Sequence, residues 1–534
     1  MKISTKTLLI TAIACLVAVR GFSQTADENL PKDYLTKEFH AGRRQALRDM
    51  MPANSVAVVF AYPERVFSQD VNYAYHPNPD MYYFSGYKET DAVLLIFKDM
   101  QHGTDGDYNE IFFAQERDPT QEQWTGRRLG VEGVKNKLGF SKVYNSGEFP
   151  NFAIDFKKFN SVLYDGLPDD EGNLKPLMEA FKSKAAIPDI DKGLLSSLTL
   201  IMRYGNSKNL TRILDFLKPK LDLPAYKNSA MLQGLISKPD SLGLADLKSK
   251  FAAQFGGMVS YGDDMNALRG VKQPEEVALV KKAVEISAIA HDEAMRAVKP
   301  TTSERELQGI YEYVHKKYGA EDEGYPPIVG AGANGCILHY EENAVMQVKN
   351  QLVLADVGAE YHGYSADVTR TYPANGKFTD EQKAVYQLVY DAQEEVFKLC
   401  KEGVPYSKLE EKTVEVLSNG LIKLGIIKDA KDVKKYYPHG VSHHMGLDVH
   451  DKGGYQIDLK ENMIITVEPG IYIPAGSDCD KKWWDIGVRI EDDVVIGKDK
   501  CTLLSIDAPR KWEDVEKMIA DKSIFDLGRF PALK

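Results

Sequence analysis

The stretch that decides the fold is QLVLADVGAEYHGYSADVTRTYP, residues 351–373. It contains two apolar runs of strand length, separated by His362–Gly363, a dipeptide suited to a turn. If the runs pair as antiparallel strands, Asp356 and Asp367 come opposite each other on one face of the sheet. Opposed carboxylates in a half-buried setting repel each other unless a cation or a proton lies between them. The pattern therefore indicates either a cation site or an edge strand with solvated acids.

A second stretch, YPHGVSHHMGLDVHD (437–451), is rich in histidine. It holds four of the eleven histidines in the chain, and a fifth lies upstream in CILHYEEN (336–343): His439, His443, His444, His450 and His339. Imidazole is a common transition-metal ligand and a proton carrier near neutral pH. Any one of these histidines could instead be an ordinary core or surface residue. The clustering nevertheless favours a metal or proton-transfer site.

Two later stretches each place a glutamate at the end of a strand run. In IITVEPGIYIP (464–474), Glu468 precedes a Pro-Gly turn signal. In DIGVRIEDDVVI (485–496), Glu491 follows Arg489 by two residues, so their side chains share one face of a strand. A single strand-end glutamate is often only a capping charge, and neither of the two identifies a site by itself.

Length and charge narrow the possible functions. A chain of 534 residues is too long for one ordinary core, which predicts at least two domains. The apolar content of 43% and the charged content of 27% are typical of a folded protein. The net charge is −11, without a basic block, so nucleic acid and anionic lipid are not expected partners.

Residues 1–23 are expected to be an export signal. Lys2 and Lys6 precede an apolar run, Thr7–Val19, that is too short to cross a bilayer, and cleavage is expected near Ser23. A buried N-terminal helix or strand is the alternative. Export predicts a secreted or periplasmic protein without stable membrane insertion. Removal of the signal would take away three basic residues and no acid, moving the net charge from −11 to −14.

Export would permit disulfides, and four cysteines follow the signal: Cys336, Cys400, Cys479 and Cys501. Their spacing shows no CxxC motif and does not suggest a disulfide scaffold. A pair between Cys479 and Cys501 is conceivable, but buried free thiols are the expected state.

The first part of the mature chain, 24–263, reads as an α/β domain. Short apolar strand candidates alternate with helical patterns such as Leu174–Lys184. The stretch Leu194–Gly262 turns mostly helical, and an insertion at the end of this domain is one interpretation of it. The strand candidates are Ser55–Phe60, Ala92–Phe97, Ile111–Gln115 and Ser161–Asp165.

The second part, 264–534, reads as α+β. Pro274 is placed to open a long helix that runs to about Val298. Capping-box patterns precede three further helical stretches: Ser303–Glu306, Thr379–Gln382 and Ser407–Glu410. The strand candidates are Leu352–Gly358, Ala366–Tyr372, Met463–Glu468 and Val488–Ile496.

Taken in chain order, these signals resemble the ligand set of the pita-bread metallopeptidases: Asp356, Asp367, His443, Glu468 and Glu491. The flanking stretches GANGCILHY, ADVTRTYP, HGVSHHMGLDVHD, TVEPG and RIED are also similar to that family. Upstream, HPNPDMYYFSGYKETDAVLLIF (76–97) and RDPTQEQWTGRRLG (117–130) resemble the N-terminal domain of the Xaa-Pro aminopeptidases. The resemblance extends from about Pro52 to the C-terminus.

The resemblance implies an α/β N-terminal domain followed by an α+β pita-bread catalytic domain. It also implies two divalent metal ions, with Mn²⁺ expected first and Zn²⁺ or Co²⁺ as alternatives. Such a pair can share a bridging hydroxide that attacks the peptide bond. No GxSxG or catalytic-cysteine pattern competes with this interpretation.

The resemblance also implies roles for individual residues. Glu468 would carry the proton from the attacking water to the leaving proline nitrogen. His450 would donate to the scissile carbonyl. Asp356 would meet the free ammonium of the substrate. The remaining residues would line the proline pocket or orient these groups: His339, His439, Tyr472 and Arg489.

The implied activity is release of the N-terminal residue in front of a proline. A prolidase, which cleaves Xaa-Pro dipeptides, would use the same ligands, and a non-catalytic pita-bread binding protein is a remote alternative. A homodimer or homotetramer is expected, in which aromatics near Trp124 help to build a neighbour's pocket. His444 departs from the aromatic or large apolar residue usual in the family, and we expect it to be a surface residue and not a metal contact.

Overall fold

The computed structural model describes residues 31–527, apart from 105, 167–171, 188–189, 207–208 and 256–257. The expected export signal, 1–23, lies outside the described residues. Both the signal and its cleavage near Ser23 therefore stay predictions.

A six-stranded mixed sheet forms the centre of the first part of the chain. Its middle strand, β1 (Ser55–Phe60), is buried along its whole length, which explains why its sequence is a continuous apolar run. The first part of the chain contains seven further strands, not all of them in this sheet: β2 (Val66–Ser68), β3 (Val71–Asn72), β4 (Val93–Gly103), β5 (Gly106–Ala114), β6 (Val143–Asn145), β7 (Ser161–Tyr164) and β8 (Met258–Val259). The sheet order is β6-β5-β4-β1-β7-β8, while β2 and β3 pair separately.

Helices pack against this sheet. Phe60 of β1 lies in the same hydrophobic cluster as Met178 and Phe181, which belong to the helix Lys175–Ala185. The helices are α1 (Lys37–Met50), α2 (Pro79–Ser85), α3 (Pro119–Thr125), α4 (Gly130–Gly133) and α5 (Lys175–Ala185). The strands and helices of this part confirm the predicted α/β character, with boundaries that shift by a few residues and with β4 and β5 longer than expected.

The stretch predicted to be mostly helical is helical. It contains α6 (Lys192–Tyr204), α7 (Leu210–Leu217), α8 (Pro224–Lys227), α9 (Ala230–Ser237) and α10 (Ser241–Phe255). Leu198, Leu232 and Leu247 are fully buried in a hydrophobic cluster formed by these helices. The segment therefore has a core of its own, and α11 (Gly262–Gly270) follows it.

The second part combines long helices with short strands. The helices are α12 (Pro274–Ala297), α13 (Glu304–Lys317), α14 (Asp380–Phe397), α15 (Ser407–Lys423) and α16 (Trp512–Ala520). The strands are β9 (Asp322–Glu323), β10 (Ile328–Ala331), β11 (Leu352–Val357), β12 (Ala359–Tyr361), β13 (Tyr364–Ser365), β14 (Val368–Pro373), β15 (Ile464–Val467), β16 (Gly470–Ile473), β17 (Ile486–Arg489), β18 (Asp492–Val495) and β19 (Thr502–Leu503).

Four small sheets carry these strands: β10-β11-β14, β13-β12-β9, β15-β18-β19 and β16-β17. Their apolar faces share one large core with the helices, in which Val353, Val389 and Ile465 are fully buried. The predicted α+β organisation is confirmed, and the boundary at 263/264 stays a prediction.

The hairpin within residues 351–373 is present, but its register differs from the predicted one. Asp356 lies opposite Thr369, and the strand β14 begins only after Asp367. Asp367 is therefore a diagonal neighbour of Asp356 and not its direct partner. The reason is that His362 and Gly363, both at positive φ, form a two-residue turn between β12 and β13. This turn places Tyr361 opposite Tyr364 and, in the same register, Asp356 opposite Thr369.

Two further expectations need correction. The predicted strand Val488–Ile496 is two strands, β17 and β18, which belong to different sheets and are separated at Ile490–Glu491. The capping box at Ser407 is absent, because Ser407 is the first helical residue of α15 and Tyr406 makes no side-chain cap. At Thr379 the predicted capping box is present.

The described cysteines Cys336, Cys400, Cys479 and Cys501 are free thiols, as expected, but only Cys400 is buried and the other three are half-buried. None of the helices in the described part of the chain combines the length and the apolar character needed to cross a membrane.

Candidate metal centre

Residues from three sheets converge on one point in the second part of the chain. Asp356 is the last residue but one of the buried strand β11, and Asp367 directly precedes β14. Glu468 follows β15, and Glu491 lies in the break between β17 and β18. His443 comes from the loop before β15, where its backbone N–H donates to Thr466 Oγ1 at 3.1 Å. Strand ends therefore supply all four acids.

Tyr325 joins the two aspartates of the hairpin. Its hydroxyl lies 2.5 Å from Asp356 Oδ1 and 2.7 Å from Asp367 Oδ1. Both carboxylates are buried, with 7% and 5% of their surfaces exposed. A single hydroxyl has only one proton to donate, so it cannot neutralise the repulsion between two ionised acids.

His443 connects the aspartates to the glutamates. Its Nε2 lies 3.3 Å from Asp367 Oδ2 and 3.5 Å from Glu468 Oε1. The other ring nitrogen, Nδ1, lies 3.1 Å from the backbone oxygen of His444. An imidazole whose Nδ1–H is held by a carbonyl presents Nε2 as its ligand atom, an arrangement usual at metal sites.

Glu491 is held by a short relay of hydrogen bonds. Arg489 Nε donates to Thr369 Oγ1 at 3.0 Å, and that hydroxyl donates to Glu491 Oε2 at 2.6 Å. Arg489 also donates from Nη2 to Asp356 Oδ2 at 2.5 Å. The guanidinium therefore fixes acids from two different sheets.

Burial and mutual repulsion act on the ionisation of this cluster. Burial raises the pKa of Glu468 to about 7, against the attraction of His443, and burial with repulsion from Asp367 raises the pKa of Glu491 well above its ordinary value. Burial also raises the pKa of Asp356. Burial opposes ionisation of Asp367 too, but the hydrogen bond and positive charge of His443, the Tyr325 hydroxyl and the charge of Arg489 together outweigh this effect and hold the pKa below the usual value.

The arrangement fits divalent metal. Ligand atoms of Asp367, His443 and Glu491 all lie within 4.8 Å of one another. Three side chains at this spacing suit a single ion, and Asp356 and Glu468 add further oxygens at its edge. Four carboxylates crowded against one imidazole and one guanidinium leave excess negative charge, which a cation would compensate. Oxygen-rich sites of this kind suit Mn²⁺ or Zn²⁺.

A pocket of about 110 Å³ opens directly on the aspartates. Its lining includes the predicted site residues His339 and His450, both exposed, and is completed by Tyr325, Pro326, Ile328, Glu341, Asp356, Asp367 and Val449. The ring of His450 lies edge-on to that of His443, with centroids 4.4 Å apart. Partial burial of the ring, together with the positive charge of His443, lowers the pKa of His450 below its ordinary value.

His439 lies beside Glu468 and Tyr472. Its Nδ1 is 2.8 Å from the oxygen of Gly440 and its Nε2 is 2.9 Å from the hydroxyl of Tyr472, which also accepts from Arg489 Nη1 at 2.8 Å. Burial lowers the pKa of His439 to about 3. A neutral ring with its proton on Nδ1 satisfies both contacts, and Glu468 Oε2 lies 3.6 Å from the same Nδ1.

The expectation that His444 is a surface residue is wrong. His444 is fully buried, its Nε2 lies 3.0 Å from the oxygen of Gly454, and its ring packs between Tyr406 and Tyr455. A Cβ on Gly453 would lie 2.3 Å from this ring, so the loop needs glycine there. That His444 is not a metal contact stays a prediction.

Sequence reasoning did not find Tyr325, Thr369 or Glu304. Glu304, fully buried at the start of α13, accepts hydrogen bonds from Ala331 N, Asn334 Nδ2, Tyr340 Oη and Val345 N at 2.8–3.0 Å. These bonds fix the loop that carries His339. A glutamate at the first position of a helix and a tyrosine before two prolines gave no signal of such roles.

A buried charge network ties the loop of His450 to the first part of the chain. Arg269 donates to Asp80 Oδ1 at 2.8 Å, to Asp448 Oδ2 at 2.6 Å and also to Asp451. Lys452 donates to the second oxygen of Asp80 at 2.6 Å. Asp80 belongs to α2, so the N-terminal sheet domain helps to position one wall of the pocket.

Comparisons with known proteins agree with this arrangement. A sequence model described as Metallopeptidase family M24 matches residues 278–498, and one described as Aminopeptidase P, N-terminal domain, matches residues 40–164. The Xaa-Pro aminopeptidase of Escherichia coli (strain K12) is 33% identical over 488 residues, which cover 89% of this chain and 96% of the relative. The Xaa-Pro aminopeptidase of Haemophilus influenzae is 29% identical, with 92% and 98% covered.

Solved structures give the same result. Aminopeptidase P from E. coli with the inhibitor Pro-Leu superposes with a TM-score of 0.71 at 30% identity, covering 91% of this chain and 98% of that one. Proline aminopeptidase P II from Yersinia pestis superposes with a TM-score of 0.72 at 30% identity, covering 91% and 100%. The chain therefore belongs to the aminopeptidase P group of metallopeptidase family M24, with an aminopeptidase P N-terminal domain followed by a pita-bread hydrolase domain.

Proposed function

We propose that this protein is a metal-dependent Xaa-Pro aminopeptidase, which releases the first residue of a peptide whose second residue is proline. The observation that carries the proposal is the convergence of four acids and His443, with a pocket opening on Asp356 and Asp367 beside His339 and His450. The similarity to Xaa-Pro aminopeptidases over most of the chain supports the same conclusion.

Each ligand and pocket residue has a task in this proposal. Asp356, Asp367, His443, Glu468 and Glu491 would hold two divalent ions. When bound, these ions would activate water and polarise the scissile carbonyl. Glu468 Oε1 is positioned to accept the proton of the attacking water and return it to the proline nitrogen. His450 would donate to the carbonyl oxygen, and Asp356 would attract the substrate's ammonium group.

Proline specificity has a physical basis. An Xaa-Pro bond has no N–H and carries a ring that fixes φ, so enzymes that bind an extended chain through that N–H cannot use it. The imidazoles of His339 and His439 and the hydroxyl of Tyr472 would surround the proline side of the bond. Arg489 would keep the nearby acids in place.

Mn²⁺ is the metal we propose, because carboxylate oxygens dominate the ligand set, with Zn²⁺ and Co²⁺ as the alternatives. The test is to strip the purified protein with a chelator and reload it with each metal. Cleavage of an Xaa-Pro-Xaa tripeptide should vanish on stripping and return best with Mn²⁺. Unchanged cleavage by metal-free protein would refute the proposed chemistry.

Asp367→Ala tests the site itself. Bound metal, measured by elemental analysis, should fall sharply, and tripeptide cleavage should fall by several orders of magnitude. Asp499→Ala, which changes an exposed aspartate, is the matched control and should leave both unchanged. If Asp367→Ala kept the full metal content, the proposed ligand set would be refuted.

The alternative is a prolidase. A prolidase requires the free carboxylate that follows proline in an Xaa-Pro dipeptide, whereas an aminopeptidase accepts a longer peptide. Comparing an Xaa-Pro dipeptide with an Xaa-Pro-Xaa tripeptide separates the two, and we expect the tripeptide to be the better substrate. The match of residues 40–164 to an aminopeptidase P N-terminal domain favours this outcome.

We also propose export and self-association. The sequence of residues 1–23 supports cleavage near Ser23 and a periplasmic or secreted location, which N-terminal sequencing of the mature protein would test. Trp124 is 84% exposed, which supports a homodimer or homotetramer in which this side chain contacts a neighbour. A monomeric mass in solution would refute the second proposal.

A further inference from the structure

Two cysteines that the proposed peptidase chemistry does not use lie against each other. Cys400 follows α14 and is fully buried in the main core, while Cys501 lies just before β19 and is partly buried. Their side chains make a direct contact. Each sulfur also approaches a carbonyl in the last turn of the same helix: Cys400 Sγ to Val396 O at 3.4 Å and Cys501 Sγ to Phe397 O at 3.7 Å.

The backbone fixes the two segments together. Lys401, next to Cys400, pairs with Gly497 in a parallel bridge, and Glu402 N donates to Gly497 O at 2.9 Å. The thiols are therefore neighbours because the main chain holds them there. Cys479 has different neighbours, since its thiol interacts with Tyr436 and Trp484.

We propose that Cys400 and Cys501 are a cross-linking site that closes to a disulfide in an oxidising compartment. This replaces the Cys479–Cys501 pair that the sequence left conceivable. The disulfide would close a loop of about 100 residues that contains His443, Glu468 and Glu491, three of the candidate metal ligands.

The pKa values of the two thiols are shifted in opposite directions, so one thiol is more reactive than the other and a stepwise reaction can begin there. The hydrogen bond with Cys400 lowers the pKa of Cys501, and the positive charge of Arg510 acts in the same direction. The contact with Cys501, together with burial, raises the pKa of Cys400. Because the thiolate is the nucleophile, the partly exposed Cys501 is the thiol that attacks first.

The oxidant is a small-molecule disulfide such as oxidised glutathione. The Cys501 thiolate attacks one of its sulfurs, forming a mixed disulfide and releasing one glutathione thiolate. Cys400 then loses its proton and attacks the Cys501 sulfur, forming the protein disulfide and releasing the second glutathione. Two protein thiols are oxidised and one glutathione disulfide is reduced to two thiols, so electrons and protons balance.

The test is to incubate the full-length, metal-loaded protein with oxidised glutathione, denature it, alkylate the remaining thiols and map peptides without reduction. The four described cysteines should give two alkylated residues, Cys336 and Cys479, and one linked pair. Trypsin cleavage at Lys398, Lys401, Lys500 and Arg510 isolates that pair as a short cross-linked species.

Variants make the result specific. Cys479→Ser should leave the linked pair unchanged, and Cys501→Ser should abolish it. In Cys400→Ser, Cys501 should stop at the mixed disulfide with glutathione. If Cys400→Ser fails to fold, the wild-type map decides alone, and reduction of that sample should restore both thiols. Alkylation of both Cys400 and Cys501 in the oxidised wild type, or a disulfide that contains Cys479, would overturn the proposal. Because thiol chemistry is the readout, peptidase activity does not enter the test.

Discussion

Arg489 donates from Nη2 to Asp356 Oδ2 at 2.5 Å, and this contact joins strand β17 to strand β11 of a different sheet. The same guanidinium donates to Thr369 and to Tyr472, so one side chain positions an acid, a relay hydroxyl and a pocket tyrosine. Burial with three such contacts explains why an arginine lies beside a cluster of acids, where its charge also offsets their repulsion.

Arg489→Lys should therefore lower activity while keeping the positive charge. Lysine has a single nitrogen and cannot donate to Asp356, Thr369 and Tyr472 in the planar geometry that arginine provides. We expect kcat/KM for an Xaa-Pro-Xaa peptide to fall about 100-fold. Arg305→Lys, at an exposed position, is the control. Wild-type kcat/KM in Arg489→Lys would show that charge alone is sufficient.

Tyr325→Phe should weaken metal binding. The substitution removes the one hydroxyl that touches both Asp356 and Asp367, so the carboxylates lose the group that orients them. Loss of such outer contacts typically raises a metal dissociation constant by about 10–100-fold. Competition with a chromogenic chelator measures this constant. Tyr313→Phe, at a half-exposed tyrosine, should bind metal normally, and equal affinity in the two variants would contradict the assigned role.

Glu304→Gln should impair substrate binding without loss of metal. A glutamine side chain has one acceptor oxygen, so at least one of the donors that Glu304 now satisfies would be left buried without a partner, at a cost of about 1–3 kcal/mol. The loop with His339 would then move. We expect KM for a tripeptide to rise and the metal content to stay constant. Glu306→Gln, on the exposed side of the same helix, is the control, and an unchanged KM in Glu304→Gln would argue against the coupling.

His40, in helix α1 of the first part of the chain, should make the free energy of unfolding depend on pH. Burial lowers its pKa to about 4, and its Nδ1 lies 2.9 Å from the oxygen of Tyr83. In the unfolded chain its pKa is about 6.5, so between pH 6.5 and pH 4 the unfolded state binds more protons. The stability contributed by the neutral ring is complete above pH 6.5 and is lost as the pH falls, by about 3 kcal/mol in total.

The measurement is urea unfolding of the wild type and of His40→Asn, which keeps a donor for the Tyr83 carbonyl, at several pH values between 7.5 and 5. The free energy of unfolding of the wild type should fall more steeply with decreasing pH than that of the variant. A constant difference between the two proteins across this range would rule out the buried neutral histidine.

Local patterns in the sequence were sufficient to predict most of the helices and strands. The continuous apolar run of β1, the proline that opens α12 and the capping box at Thr379 are determined by residues within a few positions of each other. The turn at His362–Gly363 is local in the same sense. The candidate ligands Asp356, Asp367, His443, Glu468 and Glu491 also came from the sequence, but only through their order and flanking stretches, because no periodicity brings such distant residues together.

Only the tertiary structure decided which side chains meet. The burial of His444, the contact of the Tyr325 hydroxyl with both aspartates and the contact between Cys400 and Cys501 all join segments whose separation along the chain gives no signal. A strand shift of one residue reverses the face on which a side chain lies, and packing of several sheets against one core sets that register. The chemistry of the site therefore depends on contacts between distant segments, which the secondary-structure preferences of neighbouring residues cannot predict.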